Sequence, residues 1–192
     1  MEFVSLLLYV CVMCFTPGPN NLMSMYVSVK NRLTKASPFL FGALAGYTSL
    51  FALCGLLNLL LAYLVPAVEP FMKWLGVAFM LYLAVTILLS RREASGESAK
   101  PFSFLMGFAL QYVNVKGWLF GLTVFSTYVT PYFRSVLVIL GFALGFSVVT
   151  FAASLSWAVF GNVFKSFYDR HFTAFNIFMA VLLVCCAVSV ML

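Results

Sequence analysis

Six runs of apolar residues, at roughly 3–29, 37–65, 71–90, 102–129, 135–161 and 172–192, take up almost all of this 192-residue chain. A hydrocarbon core about 30 Å thick needs about 20 apolar residues of helix to cross it, and each run has that length. The chain has 11 Lys and Arg and 5 Asp and Glu, so only 8% of it is charged. A soluble domain carries about 25%. So few charges cannot clothe a water-soluble surface, and lipid must be the solvent over most of it. The expected fold is an all-α integral membrane protein with six transmembrane helices in a single domain, 1–192. A β-barrel would need alternating ten-residue segments, and the sequence has none.

The breaks between runs are legible. Lys30, Arg32 and Lys35 precede Pro38, Pro66, Glu69 and Pro70 mark the second break, and the stretch 91–101 is the one truly hydrophilic segment. Residues 131–134 and 165–171 mark the last two. Met1-Glu2 offers no basic n-region and no A-x-A-like cleavage site follows, so the first run is expected to be retained. Eight basic residues (Lys30, Arg32, Lys35, Arg91, Arg92, Lys100, Lys165 and Arg170) fall in the loops after runs one, three and five, against Lys73 and Arg134 on the other side. By the positive-inside rule both termini are expected in the periplasm and those three loops in the cytoplasm. The net charge of +6 is accounted for by topology and is no nucleic-acid footprint.

The halves resemble each other. Gly42-Ala43-Leu44-Ala45-Gly46-Tyr47 and Gly141-Phe142-Ala143-Leu144-Gly145-Phe146 lie 99 residues apart, as do Phe79-Met80 and Phe178-Met179. Three spans per half would make the second copy enter the membrane upside down. The expectation is two inverted three-helix repeats, about 1–92 and 101–192, joined by the cytoplasmic loop 91–101. Inverted repeats of this kind are a transporter architecture with the substrate near the midplane. Gly-x-x-x-Gly is also a common packing motif, one that permits close pairing of helices and of copies in a homo-oligomer.

Two clusters of polar residues stand out inside the spans. Thr16-Pro17-Gly18-Pro19-Asn20-Asn21 interrupts the first span. Each proline lacks the N–H that would bond four residues back, which orphans the Met13 and Phe15 carbonyls. A rise of about 1.5 Å per residue puts these about 15–18 Å deep, where open backbone is tolerated only against protein or a water-filled cavity. A single proline would suggest a packing kink; two around a glycine beside three polar residues suggest a broken helix that lines a site. The second cluster is Gln111-Tyr112-Val113-Asn114-Val115-Lys116 in span four. Gln111 and Asn114, three apart, share a helix face. A lysine at mid-membrane costs about 2.5–3.5 kcal/mol, and Lys116 lies too far from the span end near Val129 to snorkel. The nine candidate substrate-binding residues are therefore Thr16, Pro17, Gly18, Pro19, Asn20, Asn21, Gln111, Asn114 and Lys116.

Cys11-x-x-Cys14 sits in an apolar helix with no facing cysteine in span four, so the cysteines are expected to be small buried hydrophobes. His171, beside Asp169 and Arg170, is expected to be solvated. No metal, cofactor or nucleotide motif occurs, and no nucleophile–His–acid set, so an enzyme is not expected. A thiol–disulfide electron carrier and a channel or structural membrane subunit remain as other readings.

Thr16-Pro17-Gly18-Pro19-Asn20, with Gln111-x-x-Asn114-x-Lys116 at mid-chain, resembles the amino-acid exporter family named for lysine and homoserine/threonine efflux (LysE/RhtB). The resemblance covers the whole chain in length, span number and motif placement. Most members have asparagine-proline-lysine where this chain has Asn114-Val115-Lys116. That departure, within Phe108 to Lys116 and after Ala99-Lys100-Pro101, resembles the cysteine/O-acetylserine exporter branch. The resemblance implies export of a small neutral amino acid, cysteine or O-acetylserine, across the bacterial inner membrane, driven by the proton gradient. The missing proline implies that span four stays helical where relatives break it.

Overall fold

The computed structural model describes residues 3–61, 65–89 and 102–191; the expected cytoplasmic loop 91–101 lies outside them, apart from which the basic residues Lys30, Arg32, Lys35, Lys165 and Arg170 are described. All the regular secondary structure among the described residues is helical, without a strand. α1 spans Phe3–Phe15, α2 Pro19–Leu61, α3 Val65–Leu88, α4 Phe104–Val113 and α5 Val115–Val124. A π-helical turn at Phe125–Val129 follows, and then α6 Val136–Val163, α7 Lys165–Arg170 and α8 Phe172–Met191. α2 and α6 are each long and apolar enough to cross a bilayer. Large apolar side chains face outward on most helices, Leu137 at 80% and Leu8 at 63% exposure among them, a surface that water would not tolerate.

The first expected loop is compressed into one residue. α2 is helical on both sides of Arg32, whose φ of 63° and ψ of 159° reverse the chain. That region of backbone space is strained for any side chain, at about 1–3 kcal/mol. Caps from distant sequence hold it: Lys165 Nζ donates to the Val29 carbonyl at 3.0 Å, and Asn162 Oδ1 accepts the Leu33 N–H at 3.2 Å. Pro38, expected to lie beyond the helix break, sits inside α2. The Thr34 carbonyl that Pro38 cannot serve receives the Ser37 hydroxyl at 2.8 Å. Pro66 and Pro70, expected between spans, fall within the first six residues of α3; Pro66 sits in the first turn, where a missing N–H costs little.

The core is built around α2, which packs against α6 along its length and against α4 near Gly42 and Gly46. A Cβ on Gly42 would strike the Phe104 carbonyl, and one on Gly107 the Phe39 carbonyl, so here helix backbones touch. α3 and α8 pair with each other, burying Leu83, Ile87, Met179 and Leu183. Cys14 and Cys54 are buried as expected, but Cys11 and Cys185 are exposed on the apolar exterior. On a lipid-facing surface a small apolar thiol meets no penalty. His171 is exposed between α7 and α8, its ring 4.7 Å from Phe167.

Candidate substrate site

Two interrupted helices meet at the centre of the molecule. The first interruption falls between α1 and α2, at Thr16-Pro17-Gly18. Its open carbonyls are served by side chains: Asn21 Nδ2 donates to Cys14 at 2.8 Å and to Thr16 at 3.0 Å, and Trp157 Nε1 donates to Phe15 at 3.2 Å. Tryptophan thus replaces the donor that Pro19 cannot supply to Phe15, and asparagine serves two further carbonyls that the break leaves open.

The second interruption corrects the expectation that span four stays helical. Asn114, with ψ at 93°, separates α4 from α5. The opening is stabilised without proline. The Tyr112 carbonyl receives the Trp118 indole N–H at 2.9 Å, while the Asn114 carbonyl starts α5 by accepting from Gly117 at 2.9 Å.

Lys116 joins the two breaks. Its ammonium donates to the Thr16 carbonyl at 2.9 Å, the Thr16 hydroxyl at 2.8 Å and the Pro17 carbonyl at 3.4 Å. A cation there complements the negative end of the α1 dipole. Its stem lies over Gly18, where a Cβ would come within 2.9 Å of Cδ.

A directed chain of hydrogen bonds runs behind the cation. Gln111 Nε2 donates to the Gly107 carbonyl at 3.0 Å and to Asn20 Oδ1 at 2.7 Å; Asn20 Nδ2 donates to Ser154 Oγ at 2.6 Å; Ser154 donates to the Thr150 carbonyl at 3.0 Å. Backbone carbonyls at both ends fix the orientation of every amide. With its donors committed, Gln111 leaves Oε1 buried and unpartnered, and Asn114 Oδ1 is in the same condition. A buried orphan acceptor costs about 1–3 kcal/mol, and what relieves it is a donor. Gln111→Leu removes the middle of the chain, orphans Asn20 Oδ1, and is expected to lower stability by about 1–3 kcal/mol in reversible unfolding.

Asn114, Lys116, Gly18, Asn20 and Asn21 line a cavity of about 20 Å³ together with Met13, Cys14, Tyr47, Phe51, Gly117, Phe120 and Thr150. That volume admits about one water molecule and is far short of an amino acid. Of the nine expected residues, five line the cavity. Gln111 and Thr16 reach it through Asn20 and Lys116, and Pro17 and Pro19 shape the break. Sequence reasoning missed Tyr47, Thr150 and Ser154. Cys14 is in contact with Thr150 Oγ1 at 3.4 Å, and the Thr150 hydroxyl lies 2.8 Å from the Phe146 carbonyl. Ser147, Thr150 and Ser154 recur at three and four residues on α6 and are all buried. That polar stripe in an apolar helix is the signal that would have found them.

An apolar-surfaced helical protein with two helices broken around a buried polar site is a membrane translocator in class. The LysE type translocator profile matches residues 11–192, and the chain belongs to that family, whose members transport rather than catalyse. It is 32% identical over 182 residues to the "Cysteine/O-acetylserine efflux protein" of Escherichia coli (strain K12) and to that of Shigella sonnei (strain Ss046), an alignment covering 95% of this chain and 93% of each relative. No solved structure matches the chain.

Proposed function

We propose that this protein exports a small neutral amino acid, cysteine or O-acetylserine, from the cytoplasm across the bacterial inner membrane, using the proton gradient. The observation that carries the reading is the meeting of two helix breaks at a cavity where an unpartnered amide oxygen, Asn114 Oδ1, lies in the same wall as the Lys116 ammonium. An amino acid presents both complements. Its ammonium group would donate to Asn114 Oδ1. Its carboxylate would draw the Lys116 ammonium off its longest contact, to Pro17, and would lie near the positive N-terminal ends of α2 and α5. Tyr47, Phe51, Phe120 and Thr150 would surround a small side chain. The names of the relatives support the substrate class.

The architecture we favour is two inverted three-helix repeats. Each half reads as a broken helix, a long helix and a further helix, and the breaks at Thr16 and Asn114 fall within one residue of the 99-residue spacing of the glycine motifs. In that arrangement both termini are periplasmic. Two measurements test the proposal. A reporter fused after Arg92 should read cytoplasmic and one fused after Leu192 periplasmic; a cytoplasmic C-terminus would mean an odd number of spans and end the inverted-repeat reading. Purified protein in liposomes, offered a panel of labelled amino acids, should export cysteine or O-acetylserine saturably. Unsaturable flux of unrelated solutes would make it a channel.

A further inference from the structure

The glycine pairs at the 99-residue spacing are used differently in the two halves. Gly42 and Gly46 on α2 are covered by α4: a Cβ on Gly46 would meet the Phe108 carbonyl at 2.7 Å, and one on Gly42 the Phe104 carbonyl. Gly141 and Gly145 on α6 have nothing within 4 Å. The segment that corresponds to α4 at this spacing is residues 5–14, the body of α1. It does not cover them. Between the two helices is an apolar groove of about 490 Å³, with Leu6, Leu7 and Val10 on the α1 side and Gly141, Gly145 and Val149 on the other.

A glycine pair standing open in one half and closed over in the other is what a two-state exporter would show when caught in one state. The closed contact in this conformation lies beside the start of α4 at Phe104, and the open one beside α1 at Leu6. Both α1 and α4 end at the helix breaks, Thr16-Pro17-Gly18 and Asn114, so each is a short rod with a non-helical joint at the site. α1 buries only Leu6, Val10 and Cys14, one row along its length, and is lightly held. The 20 Å³ cavity must enlarge to admit an amino acid; α1 lines it with Met13 and Cys14, and α4 ends beside it at Asn114.

We propose that α1 and α4 are alternating covers of the site, and that the Gly141–Gly145 groove is the seat α1 occupies when α4 leaves Gly42 and Gly46. This rests on the exporter and inverted-repeat readings above. Packed elements of this kind switch between discrete arrangements rather than deforming continuously. Leucine and valine ridges from α1 would fill the space that the two glycines leave bare, as ridges fill grooves elsewhere in helix packing.

Gly141→Leu and Gly145→Leu test it. Side chains there meet open space in this conformation, so both variants should fold and keep the wild-type thermal midpoint. With the seat filled, they should still bind O-acetylserine, read as a shift of that midpoint, but lose its efflux from liposomes. Ala152→Leu adds three carbons at an exposed position of the same helix outside the groove lining and should export normally. Wild-type efflux by both glycine variants would overturn the proposal and leave the exporter reading standing. So would lost efflux accompanied by loss of a cross-linked dimer, which would make the glycine face a contact between copies. A wild-type protein that moves no amino acid would take the exporter reading down, and this proposal with it.

Discussion

Lys116→Met is expected to abolish export and to destabilise the protein, whereas Lys116→Arg is expected to keep the stability and still fail to pump. Methionine preserves the length and apolar stem of lysine but removes all three donors. The Thr16 carbonyl would retain Asn21, while the Pro17 carbonyl would lose its lysine contact. Hydrogen bonds to a charged group contribute about 1.5–3 kcal/mol, and a cation at the end of α1 contributes about 0.3–1 kcal/mol more. Loss of thermal stability of that order should be measurable in detergent. Arginine supplies a permanent cation and five donors to the same carbonyls, so the fold should survive. Its guanidinium does not deprotonate, however. Every acid in the chain (Glu2, Glu69, Glu93, Glu97 and Asp169) falls in a loop or at a span end in the sequence, so under the proposed proton drive Lys116, a basic residue lining the cavity, would couple substrate to proton movement. Efflux against a gradient, driven by an imposed pH difference across liposomes, separates the two roles. An arginine variant that pumps like wild type would remove titration of this residue from the coupling step.

The course of the helices was legible because lipid enforces one signal, a long apolar run, at every span. The run at 135–161 became Val136–Val163, and that at 172–192 became Phe172–Met191. What hydropathy could not reveal was anything set by contacts across the chain. The loop expected around residues 30–37 shrank to Arg32 because Asn162 and Lys165 cap the turn from the far end of α6 and the start of α7. The break at Thr16–Gly18 was legible, since proline announces a missing donor in the sequence itself. The break at Asn114 was not. Valine follows it, and the opening depends on the Trp118 indole reaching the Tyr112 carbonyl, a side-chain geometry that spacing does not encode. The role of Lys116 changed for the same reason: a lone cation at mid-membrane suggested a partner for a substrate carboxylate, and the structure adds that it already bridges the two breaks. Tyr47 enters the cavity from α2 as a single residue that only packing distinguishes from its neighbours, whereas Thr150 enters from the polar stripe of α6.

Pro17→Ala combined with Pro19→Ala is expected to leave membrane insertion intact and to eliminate export. The double change restores N–H donors at positions 17 and 19, aimed at the Met13 and Phe15 carbonyls four residues back. Proline in a helix interior disfavours it by about 3 kcal/mol or more, so its removal lets α1 and α2 fuse into one rod through the site. Stability should hold or rise. The consequences for the site are all adverse. A helical Thr16 and Pro17 segment would turn its carbonyls onto the helix's own N–H groups and deprive Lys116 of the acceptors that position it. Asn21 would lose the Cys14 and Thr16 carbonyls it now serves, and a continuous rod would lack the joint that lets α1 move apart from α2. Efflux assays on protein of normal abundance measure the functional loss. Hydrogen exchange at residues 16–20 provides the structural check, since new helical bonds should slow exchange there. Slowed exchange together with wild-type efflux would mean that the break is a packing kink and that the site does not need it; slowed exchange with efflux gone would tie the opened backbone itself to transport.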